Sequence, residues 1–191
     1  MLGLYDIFFS HAWADKCVLS YIYSWLTDLG YRVWYDQNDM GNNIPKSMSE
    51  GIRNSKIVLV CANSTYQGRP NCMFELRETT SLYPEKIVTL LVEGQVDKTS
   101  KISCLPPKKI WASSSLTVSK EMQGILKFSE MMYCHIGVVA QDKRWKSPDQ
   151  IPPELVVCLL KAVQPLVSIL NNAGCQPSMP RKGLQCLGKA L

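Results

Sequence analysis

Apolar residues in the first half of this chain alternate between two patterns: short β-branched or aromatic runs, and stretches that repeat every three or four residues. Residues 4–10 (Leu-Tyr-Asp-Ile-Phe-Phe-Ser) form a compact run suited to a buried central strand. After a polar turn, Val18, Ile22, Trp25 and Leu29 fall four, three and four residues apart. That spacing predicts an amphipathic helix, with Asp15 as its cap and Gly30 as the glycine that ends it. Residues 31–35 predict a second strand and residues 36–43 a polar loop around Gly41. Pro45 suits the first turn of another helix, with Ile44, Met48 and Ile52 along one face and Ser55 closing it. A third strand follows over 56–62 and a polar loop over 63–70. A helix then opens near Asn71 and stops at Pro84, and residues 86–92 predict a fourth strand. Four rounds of strand then helix, joined by short loops, predict a parallel sheet covered on both faces.

Beyond Glu93 the pattern loosens. Pro106 and Pro107 break the chain, residues 108–112 read as a short fifth strand, and residues 119–132 read as a helix. A proline-rich linker over 147–153 leads into a strongly apolar final helix reaching about Asn171, bent at Pro165. Leu155, Leu159, Val163 and Leu166 share one stripe of it. Burial against the sheet is the simplest fate for that stripe, and a partner chain is the alternative. The mixture of Gly, Pro, Lys and Ser from Gly174 to Leu191 reads as a flexible tail or linker. The expected organisation is a main domain over 1–145, a helix packed on it or following it over 146–173, and a tail over 174–191.

A hydrophobic content of 46% with 19% charged residues fits a globular chain and not a disordered one. The longest apolar runs, 57–62 and 155–160, are far too short to span a bilayer. The first residues lack the basic start and small-residue cleavage site of a signal peptide, so the expected location is the cytoplasm. Eight scattered cysteines with no Cys-x-x-Cys pair, and only His11 and His135 as possible partners, argue against a metal site and for reduced thiols. Charge is uneven, with 8 basic and 10 acidic side chains over 1–95 against 13 and 6 over 96–191. The basic residues of the second half form no dense cluster, so no nucleic-acid partner is expected.

The chemistry centres on residues 71–78, Asn-Cys-Met-Phe-Glu-Leu-Arg-Glu. They open a helix at the carboxyl end of a strand, where open α/β sheets keep their ligand crevice, and Glu75 is the candidate carboxylate. The plainer reading is that Glu75 complements the helix dipole. Phe74 and Leu76 read as core-facing, His11 as a surface histidine near the crevice loop, and Cys72 as structural, at a helix position that would lower its pKa.

Four blocks resemble the TIR domain family over residues 4–145. The first is Tyr5-Asp-Ile-Phe-Phe-Ser-His11, similar to the family's opening strand. The second is Gly30-Tyr-Arg-Val-Trp-Tyr-Asp36, similar to its second strand. Met40 and Gly41 followed by Ile44, Met48, Ile52 and Ser55 resemble the BB loop and the helix after it. The last, Cys72-Met-Phe-Glu-Leu76, resembles the family's Trp-Cys-x-x-Glu-Leu block. The fold this implies is a flavodoxin-like three-layer αβα sandwich with a five-stranded parallel sheet.

The resemblance implies two kinds of work. One is NAD+ glycohydrolase activity, in which the nicotinamide-ribose bond is cleaved to give nicotinamide and ADP-ribose or a cyclic isomer. Self-assembly would activate it, in innate immune or cell-death signalling, with NAD+ as substrate and no cofactor. The other is a non-enzymatic adaptor or scaffold working through contacts between TIR domains. The family's catalytic glutamate falls at Glu75, where a carboxylate would stabilise an oxocarbenium-like ribose or act as a nucleophile, and both roles stay open at this point. Ser10, His11, Trp13, Asn71, Asp39 and Gly41 are the candidate substrate-binding residues, and Met40, Gly41, Asn42, Asn43 and Ile44 the candidate self-association residues. Two departures stand out: Asn71 replaces the tryptophan that many NAD-cleaving relatives carry, and His11, Ala12 and Trp13 follow Ser10 where relatives often have arginines. Trp13 could supply the aromatic face from the other side of the crevice. A phosphoacceptor receiver domain using Asp6 and Asp36 ranks last, because Ala62-Asn63-Ser64 offers no acidic pair at the third strand.

Overall fold

The computed structural model describes residues 4–35, 44–62, 64–91, 130–133 and 147–178. Five strands form one parallel sheet: β1 (Tyr5–Ser10), β2 (Val33–Trp34), β3 (Ser55–Ala62), β4 (Ile87–Leu91) and β5 (Glu130–Tyr133), in the order β2-β1-β3-β4-β5. The helices are α1 (Lys16–Asp28), α2 (Ile44–Asn54), the short α3 (Ser64–Gln67), α4 (Pro70–Leu82), α5 (Pro153–Val163) and α6 (Leu166–Asn172). This is the flavodoxin-like doubly wound order, and it places the topological switch point between β1 and β3.

Alternation along the central strands explains the two layers. Ile7 and Phe9 of β1, with Ile57, Leu59 and Cys61 of β3, face a core shared with Val18, Leu19, Ile22 and Leu26 of α1. Phe8, with Val58, Val60 and Ala62, faces the other core, shared with Met48 and Ile52 of α2 and Cys72, Met73 and Leu76 of α4. Trp25 and Leu29 pack at the edge of the first core, so the buried stripe of α1 is rotated slightly from the predicted one. Ile44 is 43% exposed and falls outside the core that holds Met48 and Ile52. Gly51 sits mid-helix because a Cβ there would come within 2.8 Å of the Trp34 ring and 2.9 Å of the Phe8 ring. Those two rings stack at 4.3 Å and leave no room for a side chain.

Gly30 ends α1 as expected. Its φ is +94°, its N–H donates to Thr27 O, and the Tyr31 N–H donates to Leu26 O, which completes a Schellman motif. Asp15 stands at the N-cap of α1 but makes no side-chain capping bond. Ser55, expected to close α2, begins β3, and its hydroxyl donates to Gly51 O at 2.7 Å.

The fifth strand departs from expectation. Residues 108–112 lie outside the described residues, and Glu130–Tyr133 takes the place beside β4, where the pattern predicts the end of a helix. A run that short carries no period of its own, so pairing with β4 decides its form.

Pro165 divides the final helix into α5 and α6. Leu159, Leu160, Val163, Leu166 and Leu170 join the α1 core, where each fully buried side chain of this kind contributes about 1.5 to 3 kcal/mol. Residues 174–178 continue onto the domain instead of leaving it as a tail. Cys175 is fully buried, Lys56 Nζ donates to Gly174 O at 2.8 Å, and Ser178 donates to Gly30 O through both its N–H and its hydroxyl. No helix among the described residues is long and apolar enough to cross a membrane.

Candidate functional site

The carboxyl ends of β1 and β2, with the start of α4, the helix that follows β3, open into a cavity of about 510 Å³, a size usual for small-molecule sites. His11, Trp13 and Ala14 line it from the segment after β1, Trp34 and Met48 from β2 and α2, and Arg69, Asn71, Cys72 and Glu75 from the start of α4. Pro70 at the first position of α4 fixes where this helix starts, one residue before the predicted opening. Glu75 therefore lies in the second turn, past the reach of a capping role.

Glu75 is only 6% exposed. The Ser10 hydroxyl donates to its Oε2 at 2.5 Å, and the Thr79 hydroxyl donates to its backbone oxygen at 2.7 Å. Behind Ser10 lies Tyr66 of α3, fully buried, with its hydroxyl 2.6 Å from Ser10 Oγ and donating to Cys72 O at 3.0 Å. Burial first and the Glu75 carboxylate second push the Tyr66 hydroxyl well above the usual tyrosine range, so it stays protonated. The same two causes push the Cys72 thiol up to about 12. An amino-terminal helix position was expected to lower it, but desolvation dominates, and Cys72 is no nucleophile at neutral pH.

The predicted site residues divide into three groups. Glu75, His11, Trp13 and Asn71 share the cavity. Ser10 does not line it: at 1% exposure it supports Glu75 from behind, because the alternation of β1 turns it into the α4 layer. Residues 36–43, with Asp39, Met40, Gly41, Asn42 and Asn43, lie outside the described residues. His11 is not a surface residue: its ring is 7% exposed, stacks on Tyr35 at 4.9 Å, and donates from Nδ1 to Phe9 O at 3.2 Å. Trp13 is 69% exposed on the rim, with Lys16 Nζ 4.1 Å from its ring centre. Phe74, expected in the core, is 38% exposed, whereas Leu76 is buried.

Two residues escaped the sequence reading. Tyr66 and Arg69 fall in what reads as a polar loop, and the only signal was an aromatic residue four positions before a helix-starting proline. Among the described residues no group of three His, Cys, Asp or Glu side chains gathers to hold a metal ion. At the opposite end of the sheet, Asp6 is taken up by Lys56 Nζ at 2.9 Å and Arg32 Nε at 3.3 Å, away from the crevice where a phosphoacceptor would stand.

The fold and this site define a doubly wound α/β domain with a buried acid at its switch point. The family model for the TIR domain matches residues 7–121, and the chain belongs to the TIR domain family. Among solved structures it is similar to the TIR domain of a Toll-related receptor from Hydra magnipapillata. The two are 18% identical over 63% of this chain and 90% of that one, with a TM-score of 0.43. No curated protein matches the chain.

Proposed function

We propose that the protein cleaves NAD+ between nicotinamide and ribose, with Glu75 stabilising the charge that develops. The observation that supports this reading is a carboxylate, 6% exposed and oriented by Ser10, on the wall of an open cavity at the switch point. In such a cleavage the C–N bond breaks with its electron pair leaving on the nicotinamide nitrogen, and positive charge spreads over ribose C1′ and the ring oxygen. A preorganised carboxylate beside that charge lowers the barrier. Water then adds to C1′ and releases a proton, giving ADP-ribose, while attack from within the same molecule gives a cyclic isomer. Trp13 offers a ring on the rim, and Arg69 brings a cation to the same cavity. NAD+ is the substrate, and the cleavage calls for no redox group. Assembly between copies, through residues 40–44, of which Ile44 is exposed at the start of α2, completes the reading.

The test is to incubate the purified full chain with NAD+, dilute and then concentrated enough to assemble, and to follow nicotinamide release. Light scattering reports the assembly. Release by the wild type that is lost in Glu75→Gln is the expected result. An assembled wild type that releases no nicotinamide favours the second reading, an adaptor, which the exposed Ile44 and Phe74 on α2 and α4 support as contact residues.

A further inference from the structure

We propose that Tyr66 is a positioning residue for Glu75, acting through the hydroxyl of Ser10. The proposal rests on the role given to Glu75 above, but its geometry stands by itself. Tyr66 is completely buried, and a buried hydroxyl that only filled space would cost stability that phenylalanine would not. Its oxygen instead meets Ser10 Oγ at 2.6 Å and Cys72 O at 3.0 Å.

Each hydroxyl carries one proton. With the Ser10 proton directed at Glu75, Ser10 Oγ is the acceptor at its contact with Tyr66, and the Tyr66 proton is shared between Ser10 Oγ and Cys72 O. A donor pointing into Ser10 Oγ does two things. It selects the one serine rotamer that reaches the carboxylate, and it polarises the Ser10 hydroxyl so that its own bond to Glu75 strengthens. The anchor is rigid, because Cys72 belongs to the same helix as Glu75 and Ser10 ends the central strand. Strand β1, helix α3 and helix α4 thus meet at three oxygens that fix where the acid stands. The titratable and charged groups around that meeting point are His11 and Asp15 after β1, Cys61 on β3, and Arg69 and Cys72 at the start of α4.

The experiment is a double-mutant cycle on the full chain with Tyr66→Phe and Ser10→Ala, read by steady-state kinetics with NAD+ and by crystal structures of each variant. A misplacement on the scale of 1 Å costs about 10²-fold, so Tyr66→Phe is expected to lower kcat about 10- to 100-fold with KM unchanged. The double variant should be no worse than Ser10→Ala alone, because both act through one hydroxyl. In the Tyr66→Phe structure the Ser10 rotamer and the Glu75 carboxylate should be displaced or split. If Tyr66→Phe keeps full kcat and leaves Glu75 in place, the proposal is overturned; additive losses in the cycle overturn it too. A wild type that releases no nicotinamide defeats the NAD+ reading, and the crystal structures then still decide whether Tyr66 positions Glu75.

Discussion

Asp6 and Glu75 are buried acids of the layer that holds α2 and α4, one at each end of the sheet, and different groups hold them. Asp6 and Ser10 stand on the same face of β1, four residues apart, both 1% exposed. At the amino end, Asp6 accepts from the Arg32 backbone N–H at 3.0 Å, from its guanidinium at 3.3 and 3.4 Å, and pairs with Lys56 at 2.9 Å. Burial alone pushes the Asp6 carboxyl up, but the Arg32 hydrogen bonds and the Lys56 ion pair outweigh it and hold the group below the ordinary carboxylate range. At the carboxyl end, Glu75 receives the hydroxyl of Ser10 and stands on the wall of a cavity. The cations beside Asp6 offset its charge and tie β1, β2 and β3 together, whereas the Ser10 hydroxyl orients the Glu75 carboxylate. The first arrangement stabilises a fold, and the second holds an acid in one orientation on the wall of a cavity.

The largest expected effect is at the open end. Glu75→Gln keeps the size and an acceptor for Ser10 but removes the charge, and should lower nicotinamide release by about 10²-fold or more. Because Glu75 is buried, stability also separates the variants: Gln should fold nearly as well as the wild type, whereas Ala leaves the Ser10 donor without its acceptor at about 1 to 3 kcal/mol. Denaturant melts beside turnover assays check both. Full turnover by Glu75→Gln would move the role to another acid. Asp39 and Glu78 are the acids nearest in sequence, and Glu78 is the weaker candidate, since it already accepts from Ser49 on α2 at 2.7 Å and does not line the cavity.

At the closed end the effects should reverse, with stability lost and chemistry kept. Asp6→Ala removes several charge-assisted bonds from two cations that partly regain water, an expected loss of about 2 to 3 kcal/mol. Turnover per folded molecule should hold. The pH dependence has a definite sign. A carboxyl lowered in the folded state adds stability that is complete above its unfolded pKa and disappears as pH falls through the folded value. The gap in stability between wild type and Asp6→Asn should therefore be full near neutrality and close under acid conditions. A gap that stayed constant in acid would show that the Asp6 charge contributes nothing.

Much of this contrast was legible in the sequence, though unevenly. The four β-branched strands and the glycine ending α1 follow from local pattern, since buried parallel strands and a left-handed C-cap leave little choice of residue. Glu75 stands out in the sequence by its place after β3 and by the resemblance of its block to a family. Pattern could not show that Ser10 faces Glu75 across 65 positions, or that Tyr66 lies buried behind it, because such pairings exist only once the sheet is wound. His11 and Phe74 were misplaced for a related reason. A polar ring is buried by stacking on Tyr35, and an apolar ring on α4 is left outside once its neighbours at 72, 73, 75 and 76 take the inner face.

A shortened chain sharpens the comparison at the amino end. The boundary expected at residue 174 would remove Cys175, which is fully buried with its thiol toward Asp6 O, together with both bonds from Ser178 to Gly30 O. Ending the protein at Gly174 should cost about 1 to 2 kcal/mol of stability. It should leave the crevice chemistry unchanged. Equal melting midpoints for the two lengths would show that residues 175–178 add nothing to the closed end.

The smallest effect belongs to the rim of the open end. Trp13 is 69% exposed and lines the cavity, so Trp13→Ala should leave stability within about 0.5 kcal/mol of the wild type. Its contribution is to a ligand: an aromatic pair adds about 0.5 to 1.5 kcal/mol, which is a 2- to 10-fold rise in KM for NAD+ when the ring is lost. With no contact to the reacting bond, kcat should stay constant, and Trp13→Phe should recover most of the affinity. Nicotinamide mononucleotide, which lacks the adenosine half, separates the two bases of the substrate. A rise in KM for NAD+ alone assigns the ring to adenine, and a parallel rise for both compounds assigns it to nicotinamide. If neither KM moves, the indole is surface that the ligand never touches, and the open end binds through the α4 side of the crevice alone.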